Sequence, residues 1–385
     1  MENMKNLFFN FGISDTTGWG NYGFHLTFQS FIQKLFMPVS LGNIHFAMPL
    51  DPITHAIFKE LSEVHWKDGV IQNEGDVVLH GLGNEGNVFK RSTKAVKEIG
   101  VTFFEKNPLS LPELNLYKEF DLMVAGSTWN LEKCREYGIE NSVLVFQGVD
   151  GDRFRPMSKR RFRDRFVVFS GGKLEFRKGQ DLVVKAFAAF AAKHPDALLV
   201  TAWHSPWGQV GASVNWAGGL IPFVFGGSLQ SSIKHWVRSN GIAENQFIDL
   251  GSVPNQHFPE VLREVDVAVF PNRCEGGTNL VAMEALSSDV LCIISNNTGH
   301  RDLVKGDNCL SLEKQLPVQI NDLAFEQAWG SGVDWGESDI DEILFHLERA
   351  YTNPSIVQQG CARQSVAEYS WEQSIKYLSR NIDAI

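Results

Sequence analysis

Short apolar runs alternate with longer stretches of helical spacing along the whole chain, the pattern of parallel strands joined by crossover helices. Residues 7–13 (LFFNFGI) form a largely apolar run that predicts a buried strand, and DTTGWGNYG after it predicts a glycine-punctuated loop. Phe24, Phe28, Phe31, Ile32 and Leu35 then recur on one face of a helix. Further strands are expected at 76–80, 100–105, 121–125 and 143–146, where this first block gives way to QGVDGDRFRP. A second block predicts strands at 165–170, 198–202, 247–250, 265–270 and 290–294, with helices over 181–193 and 279–286. Residues 370–385 predict an isolated helix starting at SWEQS. Two consecutive blocks of this kind imply two doubly wound α/β domains facing across a cleft, with ligands at the strand carboxyl ends.

Composition narrows the class. A chain of 385 residues with 43% hydrophobic and 21% charged positions is globular and long enough for two cores. The net charge of −10 argues against general binding of nucleic-acid phosphates. That charge is unevenly spread: residues 153–180 carry ten Lys/Arg and two acids, a local +8, which leaves −18 for the rest. The KRRFRDR run at 159–165 predicts an interdomain basic face or a contact with acidic lipid. No apolar run reaches the about 18–20 residues that a membrane-spanning helix requires. The opening MENMKNLFFNFGI lacks the basic lead, apolar core and cleavage site of a signal peptide. Cys134, Cys274, Cys292, Cys309 and Cys361 are odd in number and show no CxxC spacing, which points to a reducing compartment without a zinc or disulfide framework. Residues 205–233 hold no charge, and with their flank they include Trp203, Trp207 and Trp216. A packed insertion and an aromatic lid or acceptor platform both fit, and membrane contact lacks a supporting basic amphipathic helix.

The candidate chemistry sits in a few segments. Lys173 and Lys178 lie in a loop bounded by Gly172 and Gly179, and together can neutralise an anion. Arg177 is a third cation there, although the position beside Lys178 is expected to face outward. In EGGTNLVAMEAL, Glu275 ends a strand and Gly276 and Gly277 permit close backbone approach. The N–H groups of Thr278, Asn279 and Leu280 then open a helix, where anions bind. Glu284, on that helix, offers two acceptor oxygens suited to a pair of hydroxyls. In the first block, Thr17, Gly18, Gly20 and Gly23 punctuate the loop after the first strand. His80 ends the DVVLH strand, and Glu105, Asn107 and Ser127 cap strands toward the cleft. Each has a plainer reading: solvated lysines at a helix start, a surface helix glutamate, a core histidine, or helix and turn caps. The SNNTGHR segment (295–301) is expected to touch the ligand or close the cleft. The motifs HExxH, GxSxG and GxxxxGK[ST] do not occur, which removes the support for zinc-hydrolase, serine-hydrolase and P-loop kinase readings.

Taken together, TGWGNYG, QGVDGDRFRP, FSGGKLEFRKGQDLVVKAF and LGSVPNQHFPEVLREVDVAVFPNRCEGGTNLVAMEAL resemble the nucleotide-sugar-dependent glycosyltransferases of family four, glycosyl transferases group 1, which have the GT-B fold. The resemblance implies two Rossmann-like domains, here 1–152 for the acceptor and 153–368 for the donor, and a C-terminal helix, 369–385, returning to the first. It implies retaining transfer from a nucleotide diphosphate sugar, with no metal and no cofactor beyond that donor. It gives Lys173 and Lys178 to the diphosphate, with Gly18, Gly20, Gly172, Gly276, Gly277, Thr278, Asn279 and Leu280 around the donor. Glu275 falls to the transferred sugar, Glu284 to the ribose and His80 to the sugar's 6-hydroxyl. Glu105, Asn107 and Ser127 are the candidate acceptor contacts. Two departures stand out: Lys173 replaces the usual arginine, and eight residues rather than seven separate Glu275 from Glu284. The implied acceptor is a saccharide or lipid-linked saccharide, with no nucleic-acid partner. The implied location is the cytoplasm, with peripheral contact at the inner membrane face as a variant. A GT-B epimerase or phosphorylase, and a non-catalytic sugar-nucleotide-binding partner of another transferase, are the alternatives. A paired-carboxylate glycosidase fits less well, because the flanking residues build an anion site it does not need.

Overall fold

Strand alternation builds two separate parallel sheets in the computed structural model, which describes residues 4–62, 75–83, 95–205 and 208–385. The first contains β1 (Asn6–Asn10), β2 (Met37–Ser40), β3 (Val77–Leu82), β4 (Lys97–Thr102), β5 (Leu122–Ala125) and β6 (Ser142–Leu144), in the order β2-β1-β3-β4-β5-β6. The second contains β7 (Phe166–Lys173), β8 (Ala197–His204), β9 (Phe247–Asp249), β10 (Val267–Phe270), β11 (Leu291–Ser295) and β12 (Leu310–Leu312), ordered β9-β8-β7-β10-β11-β12. Strands such as VVLHGL and FVVFSGGK open on apolar runs and are buried over six residues because the sheets are covered on both faces. The order reverses between β1 and β3, and again between β7 and β10. At such switch points the loops at the strand carboxyl ends diverge and leave a crevice.

Several element ends differ from the expected ones. The first strand stops at Asn10, and Ile13–Ser14 pairs instead with Ile44–His45. The expected glycine loop is half helix: α1 (Gly18–Ile32) starts at once, with Thr17 accepting from the Gly20 amide at 3.0 Å. Gly18, Gly20 and Gly23 are therefore helical. A Cβ on Gly20 would lie 1.9 Å from the Ser14 hydroxyl, so the glycine permits a close packing contact inside the helix. Strand β3 continues two residues beyond His80, and β7 runs on to Lys173, which pairs with His204.

The helices that frame the site are α2 (Thr128–Glu136), α3 (Gln180–Ala191), α4 (Leu280–Ser287) and α5 (Trp371–Ala384). Helix α5 buries Trp371, Ile375, Leu378 and Ile382 in the same core as Leu7, Phe9 and Val124 of the first sheet. The chain crosses back to reach it where the Val149 amide donates to the Tyr369 carbonyl at 2.7 Å.

The charge-free stretch is a packed insertion. Trp203 is buried on β8 with its indole N–H on the Ser170 hydroxyl at 3.2 Å, while Val214 and Phe223 enter the second core. Trp216 sits edge-on to Phe176 and Phe325. Trp207 lies outside the described residues. A second excursion, 318–335, leaves the ribbon formed by Gln315–Pro317 and Gly336–Ser338. Its Phe325, Val333 and Trp335 share one core with Phe104, Leu109, Tyr117 and Trp129 of the first block. Apolar packing thus spans the two sheets beside the cleft. Among the described residues no helix is long and apolar enough to cross a membrane.

Candidate active site at the strand ends

The loops after β7 and β10 flank the switch point of the second sheet, and Arg273 ties them together. Its fully buried guanidinium grips Asp181 with two bonds of 2.7 and 2.8 Å and donates to the Phe176 carbonyl at 2.7 Å. It also lies 3.9 Å over the Phe176 ring. The Arg273 amide reaches the Arg177 carbonyl at 2.7 Å. Gly179 closes the first loop at φ +70°, where a Cβ would be 2.3 Å from the Pro271 carbonyl oxygen. These contacts fix the turn Phe176–Lys178 against the loop after β10, which carries Glu275 five residues beyond the strand end at Phe270 rather than on the strand as expected.

Glu275 is 4% exposed and held on every side. Lys178 Nζ is 2.5 Å from its Oε1, an oxygen that also accepts from the Asn272 amide. Arg177 Nη1 is 3.2 Å from Oε2. The Glu275 backbone N–H donates to the Thr298 hydroxyl at 2.8 Å, and its carbonyl accepts from Gly299 at 2.9 Å. Burial alone would favour the neutral acid, but Lys178, Arg177 and His300 outweigh it and hold the carboxyl at about 2. It is a fixed anion. Lys173 ends β7 with Nζ 2.8 Å from Glu175 Oε2 and remains partly exposed. Arg177, expected outside, is turned inward with a side chain 6% exposed.

Between the two glutamates the backbone turns at Asn279. That residue stands at φ +65°, caps α4 by accepting from the Ala282 amide, and meets His300 Nε2 at 3.0 Å. His300 in turn meets the Ser295 hydroxyl at 2.9 Å through Nδ1, and burial lowers it to about 4. The SNNTGHR segment therefore braces Glu275 and Asn279 from behind. Glu284 is not a surface glutamate: it is 8% exposed and accepts from Asn255 Nδ2 at 2.5 Å. Arg153 Nη1 donates to Asn255 Oδ1 at 3.1 Å. Burial outweighs both neighbours and raises Glu284 to about 8.

Other expected residues are placed differently. Gly276 does allow close approach, but to the first domain, since a Cβ would meet the Phe103 carbonyl oxygen at 2.0 Å. The Gly276 carbonyl accepts from the Ser127 hydroxyl at 2.7 Å, and a Cβ on Gly277 would meet Gln147. Thr278 is buried with its hydroxyl on Met283 Sδ, and Leu280 opens α4. Gly172 stands at φ +125° inside β7, ahead of Lys173. Gly18 and Gly20 flank Trp19, whose ring packs on Phe103, so the start of α1 reaches the glycine turn through that phenylalanine.

His80 is a correction. It is fully buried within β3, with Nδ1 2.9 Å from Asn10 Nδ2 and Nε2 3.5 Å from Glu98, because the strand continues through Gly81 and Leu82. Ser127 caps α2, and Asn107 accepts from the Tyr137 hydroxyl, so both serve as caps and braces. Glu105 does join the site, 3.4 Å from Arg177 Nη2. The sequence did not single out the side chains of Asn272, Arg273, Arg153 and Glu175, whose only signal was their place beside the strand ends. No group of three or more His, Cys, Asp or Glu among the described residues is arranged to hold a metal ion.

Residues 152–315 match the family model for glycosyl transferases group 1. Among curated proteins, mannosylfructose-phosphate synthase of Agrobacterium fabrum is 26% identical over 198 residues, 49% of this chain and 40% of that protein. The match thus spans less than half of the relative's length. Among solved structures, sucrose-phosphate synthase from Thermosynechococcus elongatus superposes with a TM-score of 0.66 at 13% identity, covering 98% of both chains. Anabaena HepE, in complex with UDP and glucose, gives 0.62 at 14% identity over all of both chains. At these identities the structural likeness is one of fold. The chain has the GT-B fold, and its residues 152–315 are similar to glycosyl transferases group 1.

Proposed function

We propose that the protein transfers a glycosyl group from a nucleoside diphosphate sugar to an acceptor hydroxyl, with retention at the anomeric carbon. The observation that carries this reading is the Lys178–Glu275 pair at the switch point, 2.5 Å apart, with Lys173 beside it. A diphosphate arriving there competes for Lys178 and frees an oxygen of Glu275 to accept from a sugar hydroxyl. Lys173, Lys178 and the first amides of α4 stabilise the charge that develops on the leaving phosphate. Glu284, kept protonated near neutrality, both donates to and accepts from the ribose hydroxyls. The acceptor oxygen bonds to the anomeric carbon as the carbon–phosphate-oxygen bond breaks, and the acceptor proton passes to that departing oxygen. Positioning and preorganised charge do most of the work, and the closed cleft keeps water from the donor. His80, enclosed in the sheet, takes no part.

HepE was solved with UDP, which supports a nucleoside diphosphate as the ligand class here. The proposed reaction requires neither metal nor further cofactor, and its acceptor is a saccharide or lipid-linked saccharide met at the cytoplasmic side. The proposed domain limits are 1–152, 153–368 and 369–385. The test is thermal stabilisation by UDP-, GDP- and ADP-sugars, followed by turnover of the donor that binds. Product anomeric configuration by NMR decides retention. Full activity in both Lys173→Ala and Lys178→Ala would refute the phosphate assignment. Nucleotide binding without donor hydrolysis or transfer would instead favour a non-catalytic binding partner.

A further inference from the structure

The buried Arg177 guanidinium stands among three carboxylates from three segments. Nη2 is 2.5 Å from Glu175 Oε1 and 3.4 Å from Glu105 Oε1. Nη1 is 3.2 Å from Glu275 Oε2 and donates to the Cys274 carbonyl at 2.7 Å. Glu175 and Glu275 belong to the two loops of the second sheet, whereas Glu105 follows β4 of the first. The backbone at Glu105 is fixed there by the Trp335 indole N–H on its carbonyl at 2.9 Å. One guanidinium therefore joins a carboxylate that crosses the cleft to the carboxylate proposed to meet the sugar.

Three carboxylates crowded into one buried site repel unless a cation stands among them. Lys173 serves Glu175 and Lys178 serves Glu275, while Arg177 is shared by all three. A guanidinium presents five N–H donors in a rigid planar fork that spans several carboxylates, whereas an ammonium concentrates its charge on one nitrogen. While it makes these contacts, Arg177 is directed away from a diphosphate at Lys178.

We infer that Arg177 is a positioning residue for Glu275, and that Glu105 couples this positioning to closure of the two domains. With the cleft open, Arg177 has Glu175 and Glu275 to itself and grips Glu275 closely. Closure brings Glu105 onto Nη2, draws the guanidinium toward the first domain, and leaves Glu275 at 3.2 Å, oriented but able to take a sugar hydroxyl. The inference rests on the transfer reaction proposed above for the role of Glu275, but its interdomain half does not.

The experiment compares the native protein with Glu105→Gln, Arg177→Lys, Arg177→Gln and Lys178→Ala. Its readouts are affinity for UDP, GDP and ADP, donor hydrolysis, and small-angle scattering without ligand. Both Arg177 variants should bind the preferred nucleotide within about twofold of native, whereas Lys178→Ala binds at least about tenfold more weakly. Turnover should fall about tenfold in Arg177→Lys and about a hundredfold in Arg177→Gln, with KM for the donor little changed. Glu105→Gln should lower kcat several-fold and enlarge the scattering radius. Loss of nucleotide affinity in Arg177→Lys as large as in Lys178→Ala would make Arg177 a phosphate ligand and overturn the inference. So would a Glu105→Gln protein with native scattering. If native protein turns over no donor, the functional reading fails while scattering still decides the interdomain half. If Arg177→Gln does not fold, Arg177→Lys and Glu105→Gln carry the test.

Discussion

Lys178 and Glu275 lie 97 positions apart in sequence and 2.5 Å apart in space, one from each loop flanking the strand-order reversal. The pairing follows from topology. β7 and β10 are neighbours in the sheet, so the loops at their carboxyl ends must meet. Removing the lysine takes away the cation proposed for the phosphate and also one of the charges that keep Glu275 ionised. Lys178→Ala and Glu275→Gln should therefore each lower turnover steeply, while the double variant loses much less than the two losses combined. A double-mutant cycle on turnover should give a coupling of about 1–3 kcal/mol. Additive losses would separate the two roles.

Glu284 gives a stability signature of definite sign. Burial lifts its carboxyl from 4.5 to about 8, so between those values the folded protein holds a proton that the unfolded chain has released. Its contribution is most favourable below 4.5, declines as pH rises toward 8, and is fully lost above it. Glu284→Gln, which keeps the hydrogen-bonding shape without the charge, should be close to native in melting temperature at pH 5. At pH 9 it should be more stable by a few kcal/mol. Melts at both pH values, without nucleotide, check this. The same variant should bind nucleotide more weakly if Glu284 meets the ribose as proposed.

Much of the architecture was legible because a strand covered on both faces is written as an apolar run. The run does not mark its own end: Phe11 and Ile13 are as apolar as Phe9, yet the strand stops at Asn10. Gly18 to Gly23 suggested a loop because glycine weakens helices, but here Gly20 admits the Ser14 side chain against the helix. His80 looked terminal because Gly81 follows it, and the strand simply continues. The site was legible where charge and glycine coincide, at Lys173, Lys178 and Glu275. At Arg177 and Glu105 the residues stood out but their pairing did not, since a side chain's inward turn depends on partners far away in sequence.

Gly276 is where the first domain rests on the loop after β10. An added methyl would sit 2.0 Å from the Phe103 carbonyl oxygen, and backbone on both sides leaves little room to yield. Gly276→Ala should therefore fold, since each sheet keeps its own core, but hold the domains apart. We expect a larger scattering radius, nucleotide affinity within several-fold of native, and turnover reduced about a hundredfold. Ser127→Ala, which loses only the 2.7 Å bond to the same residue, should show a milder form of this defect. Native turnover in Gly276→Ala would mean that the closed contact is not the working state.

Arg273 separates stability from activity. It and Asp181 are fully buried and bound by two charged hydrogen bonds, so Arg273→Ala strands a carboxylate in the core. The expected cost is about 3–5 kcal/mol, or a melting temperature lower by roughly 6–20 °C for a domain of this size. Replacing the buried pair, as Arg273→Met with Asp181→Leu, removes the charge and its buried counterion together and should recover most of that loss, since the remaining partner, Glu337, is 38% exposed and open to water. Activity should not return with it. The same guanidinium holds the Phe176 carbonyl and covers the Phe176 ring, and that turn delivers Arg177 and Lys178 to Glu275. A double variant that melts near the native temperature yet turns over at least tenfold more slowly would identify Arg273 as the anchor of the turn. Recovery of both stability and turnover would show that the turn holds its shape without it.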